Sequence, residues 1–89
     1  MINRQITVIN KLGLHARAAA KLVNCATAFT SSVFIERNGQ RVNGKSIMGV
    51  MMLAASQGST LKVEISGKDE SEAMTAIEGL INDRFGEEQ

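Results

Sequence analysis

What most narrows the fold of this chain is that its hydrophobic period keeps switching between two and about 3.6 residues within 89 positions. The segment "STLKVEIS" sets Leu61, Val63 and Ile65 on one side and Lys62 and Glu64 on the other, as a half-buried strand requires. Near the start, "RQITVIN" does the same with Ile6 and Val8, predicting a first strand over residues 2–8. From Ala16 to Phe29 the period changes: Ala19, Leu22, Val23, Ala26 and Phe29 follow helical spacing. In "SVFIERNGQRVNG" two strand-like runs meet at Asn38-Gly39, a residue pair suited to the positive φ angles of a type I′ hairpin.

Beyond the hairpin, "KSIMGVMMLAASQGS" predicts a short helix with Ser46 as N-cap and Gly58 closing the following loop. The last helix opens at Asp69, with Glu72 as the distal member of a capping box. Its apolar stripe is Ala73, Met74, Ile77, Leu80 and Ile81. The tail "FGEEQ" is expected to fray. The order is therefore β-α-β-β-α-β-α, an α+β open-faced β-sandwich: a four-stranded antiparallel sheet covered on one face by three helices, with a split βαβ motif. A chain of this mass exposes roughly 5,000 Å² when folded and builds one modest core. Residues 1–89 are read as a single domain.

Composition removes several functions. Net charge is +1, charges of both signs are scattered, and neither Tyr nor Trp is present, so nucleic acid is not an expected partner. The apolar run "IMGVMMLAA" is too short to span a bilayer, and "MINRQITVIN" has no signal-peptide core, which leads to an expected cytoplasmic location without membrane insertion. Cys25 is the only cysteine and His15 the only histidine, too few ligands for a structural zinc site. No metal or cofactor is expected.

Residues 39–46, "GQRVNGKS", satisfy the P-loop pattern G-x-x-x-x-G-K-[ST]. That loop must run from a buried strand directly into a helix, so that consecutive N–H groups wrap the phosphates. Here Gly39 is needed by the hairpin and Gln40 to Asn43 read as strand, so nucleotide binding is rejected.

The chemistry lies in "NKLGLHARAAAKL". A lone histidine in a small domain is most often structural, but His15 falls at the N-cap of the first helix, where unpaired N–H groups and the helix dipole favour an anion. Arg17 adds a planar donor fork suited to a phosphoryl group. Neutral imidazole is a nucleophile, and the positive end of the helix works against its cationic form. No carboxylate is an obvious partner for it. The pattern is that of a phosphoacceptor histidine without hydrolytic machinery.

"GLHARAAA" resembles the active-site motif of the histidine-containing phosphocarrier (HPr) family of the bacterial phosphoenolpyruvate-dependent phosphotransferase system, and "GKSIMGVMMLAASQGS" is similar to its second signature. The resemblance covers essentially the whole chain. It implies a phosphocarrier, not an enzyme: Enzyme I would transfer a phosphoryl group from phosphoenolpyruvate to Nδ1 of His15, with Arg17 as electrostatic partner, for delivery to an EIIA-type domain. It also implies regulatory phosphorylation at Ser46 by HPr kinase/phosphorylase, alongside that residue's capping role. The family's usual "HARPAA" has Ala18 here in place of proline, which leaves the sugar-linked and nitrogen-related branches both open.

Ala16, Ala18 and Lys21 on the first helix and Ile47, Met48 and Met51 on the second are assigned to the partner surface, while Val50, Met52 and Leu53 are read as core. Lys21 is expected to be solvated, Cys25 to pack as a small apolar residue, and the protein to be monomeric. The rival reading is a small ferredoxin-like regulatory or binding module that carries His15 incidentally.

Overall fold

The computed structural model describes residues 1–89. Strand β1 (Ile2–Thr7) leads to helix α1 (Ala16–Thr27), the hairpin β2 (Ser32–Arg37) and β3 (Gln40–Asn43), helix α2 (Ile47–Met52), strand β4 (Thr60–Ser66) and helix α3 (Glu70–Asn82). A 3₁₀ turn at Arg84–Gly86 follows. The expected element order is borne out. The sheet order is β1-β4-β2-β3, with every neighbouring pair antiparallel.

Register follows the period-two pattern. Ile6 faces Leu61 across β1 and β4, while Val33 and Ile35 of β2 face Ile65 and Val63 of β4. All six side chains are buried. The helices close this layer with Ala19, Leu22 and Ala26 of α1, Val50 of α2, and Ala73, Met74, Ile77 and Ile81 of α3. The opposite sheet face is polar apart from Phe34, over whose ring the Arg41 guanidinium sits at 3.9 Å while reaching Glu64 at 2.7 Å.

Asn38 and Gly39 take φ of 51° and 81°, as the hairpin demands. Residues 39–46 thus run through a turn, strand β3 and the start of α2, with no phosphate-wrapping loop.

Two expectations fail. Asp69 caps α3 by position but makes no side-chain bond to its own helix. Its carboxylate instead accepts from the Thr30 and Ser31 N–H groups, 3.0 Å each, and from the Ser31 hydroxyl. Those donors lie at the end of the α1–β2 connection, and a carboxylate can serve several donors at once. The reach-back to the preceding turn is made by Glu70, which accepts from Gly67 N–H at 3.3 Å, and not by Glu72.

The tail is not frayed either. Arg84 and Phe85 adopt left-handed φ of 56° and 55°, turning the chain back on itself, and Phe85 is fully buried. Burying a phenylalanine is worth roughly 1.5–3 kcal/mol, which helps offset the roughly 1–2 kcal/mol that each left-handed residue costs. Lys21 Nζ donates to the Phe85 carbonyl and the Lys11 N–H to the Gln89 carbonyl, both at 2.7 Å.

Candidate functional site

The site is built on the loop between β1 and α1. Gly13 has φ of +68°, and a Cβ there would stand 2.4 Å from the Ala55 carbonyl oxygen, so only glycine lets this loop lie against the chain leaving α2. The adjacent Leu14 N–H donates to the same carbonyl at 2.8 Å. This clamp delivers His15 to the N-cap of α1 with extended backbone, φ −71° and ψ 175°. Its carbonyl accepts the first intrahelical bond, from Ala19 N–H at 2.8 Å.

The two ring nitrogens meet different groups. Nδ1 accepts from the Arg17 N–H at 3.2 Å. Nε2 is in contact with a carboxylate oxygen of Glu87, from the tail. An ionised carboxylate only accepts, so the proton belongs on Nε2 and the lone pair of the neutral ring on Nδ1. The other oxygen of Glu87 accepts from Asn10 Nδ2 at 3.0 Å; Asn10 is fully buried and also donates to the Gly13 carbonyl at 2.8 Å. These bonds, from Asn10 and then His15, hold the Glu87 carboxyl below the ordinary range.

No acidic residue lies in the first turn of α1, and Ala16 and Arg17 of that turn border an open hollow of about 620 Å³. Lys11, Leu12, His15, Ala16, Arg17, Glu87 and Gln89 line it. Arg17 is exposed and forms no ion pair. A hollow with two cationic side chains, helix-end donors and an imidazole lone pair suits a phosphoryl group.

Ser46 is the N-cap of α2, its Oγ accepting from Gly49 N–H at 3.1 Å. Helix α2 packs beside α1 and exposes Ile47, Met48 and Met51, while Val50 and Leu53 enter the core. Three sequence assignments change. Met52 is 63% exposed and joins the outer side of α2, because a helix of six residues cannot bury both of its stripes. Ala18 is fully buried, so its side chain belongs to the core and not to a partner surface. Ala16 is exposed, and so is Lys21, but the Lys21 ammonium is committed to the tail.

Sequence reasoning missed Glu87 and Asn10. The available signal was "RFGE": an aromatic residue and a glycine just beyond a helix mark a chain that folds back rather than one that frays.

The family model described as "PTS HPr component phosphorylation site" matches residues 2–83. The phosphocarrier protein HPr of Cupriavidus necator is 60% identical over 87 residues, covering 98% of each chain. That of Neisseria meningitidis serogroup A is 54% identical with the same coverage. Among solved structures, HPr-C-His from Thermoanaerobacter tengcongensis superposes with a TM-score of 0.96 at 46% identity over the whole of both chains. The chain belongs to the HPr family, the phosphocarrier proteins of the phosphotransferase system, which carry a phosphoryl group and are not themselves enzymes.

Proposed function

We propose that this protein accepts a phosphoryl group on Nδ1 of His15 from Enzyme I, with phosphoenolpyruvate as the ultimate donor, and passes it to an EIIA-type domain. The observation that carries this reading is the division of labour at the ring: Nε2 is engaged by Glu87, while Nδ1 lies against the Arg17 N–H beside the open hollow. In the transfer, the Nδ1 lone pair forms the N–P bond as the donor's bond to phosphorus breaks and its electron pair stays with the donor. The Arg17 N–H is then placed to donate to a phosphoryl oxygen, and the unpaired guanidinium to add a charge-assisted bond. Helix-end donors stabilise the group without enclosing it, so onward transfer remains open.

Ser46 serves, in this reading, as a second phosphorylation site, modified by an HPr kinase/phosphorylase. Phosphate at a helix N-terminus is electrostatically tolerated, yet it puts negative charge on the helix that presents Ile47, Met48 and Met51 to partners. A cytoplasmic monomer that offers one face to successive partners completes the proposal.

Incubation with phosphoenolpyruvate and Enzyme I of the same organism is expected to give an acid-labile, alkali-stable phosphoprotein, with all label lost in His15→Ala. Failure of the wild type to label overturns the carrier reading in favour of a binding module. Acid-stable label from ATP and the kinase, lost in Ser46→Ala, tests the second site.

A further inference from the structure

We infer that Glu87 is a positioning residue for phosphoryl acceptance: one of its oxygens is held by Asn10 while the other keeps hydrogen on Nε2 of His15 and the lone pair on Nδ1, and its charge faces the ring cation left when Nδ1 is phosphorylated. The inference rests on His15 as the phosphoacceptor.

The case begins at Asn10. Its Oδ1 is buried without a partner, while Nδ2 serves both the Gly13 carbonyl and Glu87. Turning the amide over would set an oxygen against a carbonyl and a carboxylate, acceptors both, so Asn10 presents hydrogen to Glu87. Glu87 must therefore accept on one side from Asn10 and on the other from His15. A carboxylate has two acceptor oxygens; glutamine, of the same size, has one and would meet one neighbour donor to donor.

The placement is braced from both directions. Phe85 is anchored in the core and its carbonyl held by Lys21, and two residues beyond Glu87 the Gln89 carbonyl is held by the Lys11 N–H. The Glu87 side chain is only 17% exposed, so its bond to the ring is less diluted by water than a surface contact would be.

A charge argument follows from the same tautomer. When Nδ1 forms the N–P bond and Nε2 keeps its proton, the ring gains a positive charge at a helix N-terminus, where the macrodipole opposes it. Glu87 supplies the opposing charge on the far side of the ring, leaving the helix end to the phosphoryl oxygens.

The test combines ¹⁵N NMR of the His15 ring with single-turnover transfer from phosphorylated Enzyme I, in variants whose folding is checked by thermal melting. The wild type is expected to show the Nε2–H tautomer. Glu87→Gln is expected to populate both tautomers and to lower the transfer rate at saturating Enzyme I about tenfold, with half-saturation unchanged. Glu87→Asp, which keeps two acceptors on a shorter arm, should recover part of that loss. A wild-type tautomer and wild-type rate in both Glu87→Gln and Glu87→Ala would overturn the inference, as would an Asp variant no better than Gln. If the wild type is labelled on His15 and the variants match it, this inference alone fails; an unlabelled wild type removes the phosphoacceptor reading and the inference with it.

Discussion

Ser31 and Asp69 are joined through main chain and side chain at once: both the N–H and the hydroxyl of Ser31 donate to the same carboxylate oxygen. With the Thr30 N–H on the other oxygen, these bonds lower the Asp69 carboxyl from 3.8 to about 2, the Ser31 hydroxyl contributing most. A group whose folded value is depressed binds more protons when unfolded. Its stabilisation is therefore complete above about pH 4 and is lost as pH falls toward about 2. Asp69→Asn should melt at a lower temperature than wild type at pH 7. The gap should close between about pH 4 and 2, as followed by circular dichroism.

Replacing Gly13 tests the clamp beneath the site. In Gly13→Ala the new Cβ meets the Ala55 carbonyl while φ is held at +68°. We expect a loss of about 2 kcal/mol or more in urea unfolding, together with slower phosphoryl acceptance because His15 is displaced.

Ser46→Ala removes the acceptor for the Gly49 N–H and should cost about 1 kcal/mol. Ser46→Asp keeps an acceptor at the cap and should stay within about 0.5 kcal/mol of wild type. Under the regulatory reading, the Asp variant should nevertheless transfer phosphate more slowly than the Ala variant, a rank order opposite to that of stability.

A stabilising change is available at Ala54, an exposed residue with φ of 48° that follows Leu53, the C-cap of α2. Left-handed backbone costs an L-residue about 1–2 kcal/mol, of which glycine returns about 0.5–1 through its own entropy. Ala54→Gly should gain roughly 0.5–1 kcal/mol in chemical denaturation, with wild-type labelling.

Much of this was legible in the chain itself, wherever a local period or a turn requirement left a trace. Leu61, Val63 and Ile65 announce β4 by alternation, and Asn38-Gly39 announces the hairpin by its φ demand. His15 and Ser46 stand out because helix starts have a recognisable chemistry. Contacts between distant segments leave no such trace. Glu87 reaches His15 across 72 positions, and Asp69 reaches Ser31 across 38, through side chains that look like ordinary solvated acids in sequence. Met52 failed for a different reason: on six helical residues, under two turns, two apolar stripes fit the pattern equally well.

The bracing of the tail also decides where a probe can be attached. A fluorophore or affinity tag joined after Gln89 leaves the domain from the rim of the hollow that holds His15 and would report on, or obstruct, partner docking. At Met1 the same probe sits at the far end of β1, about 20 Å along the strand from the site loop, and leaves that face clear.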